Sequence, residues 1–401
     1  MANTKISQLP LYSGTAADLR WFVMNNSGET TTYKFSGYTS PYKVVDTNNS
    51  NNIYDTNVMG GSFSSIVAGE NNTITTSRNF IGGGTNNTIV GSTDSVIVGS
   101  YDSIIRAVGR NGIYSSYQGD ITQSPNYQCA IMASAYSNIT YGNATAIIGG
   151  YYNIINGTNN NESIIIGGQS NTLTSTLDGT ILNGVSNSLI SSNKSSIIGG
   201  ESNTLNGTGF GFIGGGKYNI LSGGTNYSSI VGGLSNENYG NYSGIFNGTL
   251  NKINNPTTEH ASIIGAYSST TEGDYTHIIG GLYNQIFNQQ AVILGGQYNI
   301  IAAGSSQAEI IGSRNCIITG TTTDNTIINS IDSVIPNGID RAVMLGTSGR
   351  TATTSGATFV ENLVVFNYAG LNFADDTAAA AGGVVLGQVY HTGGVLKIRI
   401  V

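Results

Sequence analysis

Two stretches in the second half of this chain say almost the same thing: HIIGGLYNQI starts at His277 and AVILGGQYNII at Ala291. Related phrases recur as IVAGENNTI, AIIGGYYNII, IIIGGQSNTL, TILNGVSNSL, SIIGGESNTL, SIVGGLSNEN, GIFNGTLNKI and EIIGSRNCII. Each holds two or three apolar residues, two small ones, two variable positions, a polar residue that is usually Asn, and an apolar ending. With the first small residue as marker, the column reads Ala68, Gly83, Gly99, Ser115, Ala133, Gly149, Gly167, Asn183, Gly199, Gly215, Gly232, Asn247, Gly265, Gly280, Gly295, Gly312, Asn329 and Leu345, in steps of 15 to 18 residues. An extra Gly beside Gly83 and Gly215 leaves those two markers ambiguous by one residue. The stretch NGIYSSYQGDITQSPNYQC fits a worn copy at Ser115 better than an inserted domain.

Glycine and β-branched residues in such alternation cost too much propensity for a helix, and no long window carries a 3.6-residue period. The pattern predicts an all-β parallel β-solenoid, or β-roll, of about 18 coils with 15–18-residue repeats. At ~4.8 Å per coil that is a rod of roughly 85 Å. The Asn residues at 153, 171, 187, 203, 219, 236, 251, 284 and 299 (Asn153, Asn171, Asn187, Asn203, Asn219, Asn236, Asn251, Asn284, Asn299) are expected to form a ladder. Their amides would cap turn backbone and bond their copies along the axis.

Adjacent strand residues face opposite sides, so Ile278 and Ile279, or Ile197 and Ile198, cannot both enter one chain's core. A second apolar stripe along such a rod would be a large sticky surface on a monomer. The expectation is therefore a homotrimer that buries the second stripe between chains.

Composition fits a repetitive rod better than an ordinary globule. Charged residues make up 9% against a typical figure of about 25%, and 56 glycines with runs of Asn, Ser and Thr take their place. A net charge of −7 offers no basic footprint for nucleic acid. Cys129 and Cys316 stand in unrelated settings and suggest no disulfide framework. The N-terminus lacks a signal-peptide pattern, and no window approaches eighteen uninterrupted apolar residues, so neither membrane insertion nor signal-peptide export is expected.

Candidate chemistry is sparse. Gly209-Phe-Gly211-Phe-Ile-Gly214 has the dinucleotide-binding spacing but lies inside the repeat with no helix after it. His277 with Glu272 and Asp274 can be drawn as a metal cluster, but the residues read as ordinary solvated turns. Asp375 and Asp376 are adjacent and point apart, and Asp120, Glu162 and Glu201 look isolated. No catalytic residue, cofactor or metal is expected, and the chain does not read as an enzyme. Tyr152, Tyr218, Tyr283 and Tyr298 all precede a ladder Asn and should line one face. They are candidates for stacking on a carbohydrate, against the plainer expectation that they stack on one another.

The xIIGGxxNxI phrase resembles the left-handed β-roll repeats of trimeric autotransporter adhesin heads. The whole chain more closely resembles bacteriophage fibre proteins, tail or head. Its start, MANTKISQLP, is similar to the segment by which such fibres join the virion, and its end, LNFADDTAAAAGGVVLGQVYHTGGVLKIRIV, to their short C-terminal segment. The resemblance implies three parts: an attachment module over 1–55, a rod over 56–348, and a C-terminal cap and trimerisation segment over 349–401. Ile6, Leu9, Trp21 and Phe22 are the anchor candidates, and DLRWFVMNNSGETTTYKF reads as a strand pair around a Ser-Gly turn. The implied partners are further copies of the chain, a capsid or tail protein through residues 1–55, and host surface polysaccharide. The implied place is the virion surface, after assembly in the host cytoplasm. A bacterial trimeric surface adhesin and a glycan-depolymerising tailspike are the alternatives.

Overall fold

The computed structural model describes residues 57–400 apart from 60–62, 123–126, 159, 225 and 364–367, together with the backbone of three strands nearer the N-terminus. Those strands are Arg20–Asn26, Glu29–Phe35 and Val45–Asp46, paired antiparallel, with Asn26 opposite Glu29. Trp21 and Phe22 belong to the first of them, while their side chains, like Ile6 and Leu9 altogether, lie outside the described residues.

From Val58 to Val360 the chain is a parallel β-solenoid of about eighteen coils. Each coil makes two short strands, here called front and back, and among the described residues the stacks hold nineteen and eighteen strands respectively. Pairing is in register, so identical positions meet: Ile147 faces Ile165 and Ile165 faces Ile181 in front, while Leu173 faces Leu189 at the back. Among the described residues one α-helix occurs, Asp376–Ala381, with Asp375 capping the Ala378 N–H at 2.8 Å.

The core is two facing columns of aliphatic side chains. Front residues such as Ile147, Ile165, Ile181 and Ile197 and back residues such as Ile155, Leu173, Leu189 and Leu205 are fully buried. In the front-strand pair before the small residues the first residue points in and the second out: Ile278 and Ile197 are 0% exposed, Ile279 and Ile198 43% and 46%; in back-strand pairs such as Ile154–Ile155 and Ile300–Ile301 the second is the buried one. Two back positions are polar yet buried, Asn238 and Thr271. Asn238 donates to Ser243 O at 3.0 Å and accepts from Gly240 N–H, and Thr271 bonds Thr276.

From the front core residue to the back one is always eight residues, as from Ile66 to Ile74 or Ile293 to Ile301; the return varies from seven, Ile74 to Ile81, to ten, Ile155 to Ile165. The forward turn is held to one length by a paired requirement. The ladder Asn follows the second small residue of the phrase by three, and a Cβ on that small residue would fall 2.3 to 2.8 Å from the Asn amide nitrogen. From Asn72 onward every coil with Asn in the ladder has Gly there, as in Gly150–Asn153 and Gly200–Asn203. Coils with Ser or Ala there carry another ladder residue: Ser100 with Ser103, Ser134 with Ser137, Ala266 with Ser269, Ser313 with Cys316. The first small residue is roomier in most coils, with nothing closer than 3.8 Å at Gly199 or 3.9 Å at Gly167, although at Gly232 the Asn247 Oδ1 would lie 2.9 Å away; most members take a left-handed backbone, as Ala133, Asn183 and Asn329 do. This column is two residues past the front core residue. That resolves the ambiguity in favour of Gly83 and Gly215, and it corrects the last marker from Leu345 to Gly346, because Leu345 is an outward strand residue.

The last front strand, Thr358–Val360, pairs with Val343–Leu345, so the coil stack runs past residue 348. Beyond it, Val389–Thr392 and Val395–Ile398 form a hairpin. Ala379, Val384 and Tyr390 make a small core of their own with Leu371 and Phe373.

Candidate surfaces on the rod

The ladder Asn side chains are wholly buried at the corner between forward turn and back strand. Asn203 shows the pattern. Its carbonyl accepts from the Asn219 N–H at 3.0 Å, and its amide donates to Gly216 O at 3.0 Å and Asn187 Oδ1 at 3.1 Å. Asn171 N–H to Asn153, Asn187 to Asn171, Asn236 to Asn219, Asn251 to Asn236 and Asn299 to Asn284 repeat the contact. Ser269 bridges the gap, accepting from Asn284 N–H at 3.2 Å. Asn72 and Asn87 belong to the same column at the N-terminal end. These residues are structural: each ties a turn to the next coil.

The outward side of the front strands is nearly free of charge. The position after each core residue carries Ile148, Ile166, Leu182, Ile198, Val231, Phe246, Ile264, Ile279, Leu294, Ile311, Ile328 and Leu345, and the position before it is often small, as at Ala130, Ala146, Ser196 and Ser229. Apart from the Tyr114 phenol, the ionisable groups on this face are His277, whose Nδ1 lies 2.8 Å from Ser262 Oγ, and Glu309. The outward side of the back strands is mixed and polar, with Thr172, Thr174, Thr204, Asn206, Glu237 and Lys252. The rod therefore has one apolar, nearly charge-free face and one mixed face, where Ile154, Ile220, Ile300 and Ile317 stand among the polar residues.

Aromatic residues gather on the two turn edges. Tyr152, Tyr218, Tyr283 and Tyr298 occupy the same coil position, five past the front core residue, with φ of 55° to 57°. Tyr283 and Tyr298 stack on each other at 5.1 Å between centroids, and Tyr152 stacks on Tyr136 at 4.8 Å. Tyr218 meets the Lys217 ammonium, 4.9 Å from the ring centre. The opposite edge carries a longer stack through Phe210, Tyr227, Tyr242, His260 and Tyr275, with centroid steps of 4.5, 5.3, 5.3 and 5.0 Å. Each member of this second ladder stands three residues before a front core isoleucine (Ile213, Ile230, Ile245, Ile263 and Ile278), just ahead of the apolar phrase. Ring faces are spent on neighbours along the long ladder and within the pairs Tyr136–Tyr152 and Tyr283–Tyr298, whereas Tyr218 meets a lysine instead of a ring.

One corner differs. Between the Tyr152 column and the outward back-strand residues lies a groove of about 330 Å³ lined by Asp102, Ile104, Gln118, Asp120, Tyr136, Ser137, Asn138 and Tyr152. Gln118 Nε2 donates to Asp102 Oδ2 at 2.8 Å, while Asp120 Oδ1 is buried with no partner. Burial pushes the Asp120 carboxyl above its ordinary range, and the Arg106 charge works against that. Asp120, isolated in sequence, is thus brought beside a second carboxylate and two aromatic rings from neighbouring coils.

The other sequence candidates have structural partners. Glu272 accepts from Asn254 Nδ2 at 2.7 Å, and Asp274 from the Glu259 N–H at 2.8 Å, away from His277 on the front face. No cluster of three metal-ligating side chains occurs among the described residues. Gly209–Gly214 runs into the front strand Phe212–Ile213 with no helix at its end. Glu201 pairs with Lys217 at 2.8 Å on the surface. Asp376 accepts from Tyr390 Oη and from Ile400 N–H. Cys129 and Cys316 are both buried free thiols. Among the described residues no helix is long and apolar enough to cross a membrane.

No protein-family model and no curated protein sequence matches the chain. Among solved structures it is similar to a protein from Desulfovibrio desulfuricans G20 named for acetyltransferase activity. The match is at 7% identity over 68% of this chain and 70% of that one, with a TM-score of 0.19. A likeness that weak carries no argument about fold or activity.

Proposed function

We propose that the chain is the subunit of a homotrimeric bacteriophage fibre, on the tail or the capsid head, whose work is mechanical and adhesive and to which no reaction is assigned. Residues 1–55 would mount it on a capsid or tail protein, the solenoid would project from the virion, and its turn edges would meet host surface polysaccharide. Assembly would take place in the host cytoplasm. The observation that carries the reading is the apolar, almost charge-free outward side of the front strands, opposite a mixed back side that carries most of the strand charges. A face about 10 Å wide along roughly 85 Å offers ~850 Å² per chain, the size of a stable protein interface. The repeat phrase and both chain ends, which resemble those of phage fibres, support the virion setting.

Light scattering on the purified chain tests the assembly. The expected mass is about 125 kDa, three times 41.7 kDa, and stable on dilution. A 41.7 kDa particle would remove the trimeric fibre.

A further inference from the structure

We infer that Tyr227 and Tyr242 are an oxidative cross-linking site. A one-electron oxidant, of the class of a peroxide-charged haem peroxidase, would join two successive coils there through a carbon–carbon bond between the phenol rings.

The geometry follows from in-register stacking. Both residues stand three before a front core isoleucine, Ile230 and Ile245, and both take a left-handed backbone, with φ of 53° and 49°. Their side chains therefore leave equivalent positions on coils about 4.8 Å apart. The ring centroids are 5.3 Å apart and the planes only 12° from parallel. Backbone holds the coils together on this edge: Tyr242 N–H donates to Asn226 O at 2.9 Å, and Asn226 N–H to Asn241 Oδ1 at 2.9 Å. The two tyrosines are 55% and 50% exposed, so an oxidant reaches both.

The neighbours single out this pair. On the far side of Tyr227 the stack continues with Phe210 at 4.5 Å, and on the far side of Tyr242 with His260 at 5.3 Å. Neither carries a phenol, so a radical on Tyr227 or Tyr242 has one phenolic partner within the stack, the other tyrosine. Tyr275 is the natural control. It occupies the same column, with φ of 55° and 53% exposure, but its column neighbours are His260 and Gln290.

The step balances. Each phenol gives up one electron and one proton, and the two phenoxyl radicals join at carbons ortho to oxygen. Each ring then regains its aromaticity by moving the ortho hydrogen to oxygen as a proton. Hydrogen peroxide takes up the two electrons and two protons and leaves as two waters. The product ties one coil to the next and closes a fifteen-residue loop in the unfolded chain, as a disulfide would.

The experiment treats the full-length protein with a haem peroxidase and limiting hydrogen peroxide, with free tyrosine coupled in a parallel reaction to show that the oxidant is active. Cleavage after Lys and Glu then separates residues 218–237 from 238–252. The expected product is these two peptides joined, lighter than their sum by two hydrogen atoms, with fragmentation placing the bond on Tyr227 and Tyr242. On a denaturing gel the chain should still run at 41.7 kDa. The joined peptides should disappear in Tyr242→Phe, which keeps the ring and the stack. His260→Tyr supplies the missing phenol and should draw Tyr275 into a cross-link that the wild type lacks. A bond placed on Tyr218 or Tyr239, or Tyr275 cross-linked in the wild type as readily as Tyr227, overturns the assignment to the stack. Peptides that stay separate while free tyrosine couples, or products joined mainly between chains, overturn the site itself.

Discussion

At the scale of single residues, the rule that governs this chain is a coupling between two positions three apart. Glycine before the ladder asparagine is needed because the asparagine amide fills the space a Cβ would take; at Gly200 that Cβ would also lie 2.2 Å from Gly216 O of the next coil. Gly200→Ser alone should cost more than ~2 kcal/mol from backbone strain and collision. Asn203→Ser alone should cost about 1–3 kcal/mol by orphaning buried groups on its own turn and the next. The double variant recreates the pair found at Ser100 and Ser103, and should be at least ~1 kcal/mol better than the sum of the two. Guanidinium unfolding of the four proteins measures this, and strict additivity would show that the positions are independent. The lone Ala266–Ser269 coil, between glycine–asparagine coils on both sides, shows that one coil can switch by itself.

At the scale of elements, the two half-coils differ in what they tolerate. The forward turn carries the ladder and keeps its length, whereas the return turn already accommodates spans of seven to ten residues. Two residues inserted between Gly207 and Thr208 should cost under ~1 kcal/mol. The same insertion between Glu201 and Ser202 should break the Asn203 contacts and lower the unfolding midpoint far more. The C-terminal unit has its own pH limit. The hydrogen bond to Asp376, with burial second, raises the Tyr390 phenol to about 12. A pKa raised in the folded state means stability that is complete below the unfolded value near 10 and is lost as pH climbs through about 12. Hydrogen exchange of the hairpin Val389–Ile398 followed from pH 8 to 12.5 should accelerate in that window. In Tyr390→Phe the step should vanish.

At the scale of the whole molecule, the apolar face determines association. Ile279→Glu puts a carboxylate on that face without touching the core, since Ile278 alone points inward. The expected outcome is an intact solenoid by circular dichroism with the native mass reduced to 41.7 kDa. Unfolding instead of dissociation would mean that the outward residue supports the single chain. The surface ion pairs Arg78–Asp94, Glu201–Lys217 and Glu237–Lys252 link successive coils but are exposed, so they add little to stability.

The period of the apolar phrase by itself determined the architecture, the number of coils and the asparagine column, because in-register stacking turns each position of a repeat into a straight column along the axis. Local pattern also required one residue of each Ile pair to face out, since strand residues alternate; it did not say which, and only the packed turn decided that Ile278 goes in and Ile279 out. The glycine–asparagine coupling, the long aromatic ladder from Phe210 to Tyr275 and the groove joining Asp102 to Asp120 and Tyr152 were decided by tertiary structure. The first is a contact between side chain and backbone within one turn, and the other two join side chains of successive coils, so none is written in the apolar period. Leu345 illustrates the same limit: its place beside a glycine looks like the marker column, but the strand pairing puts Gly346 at the turn.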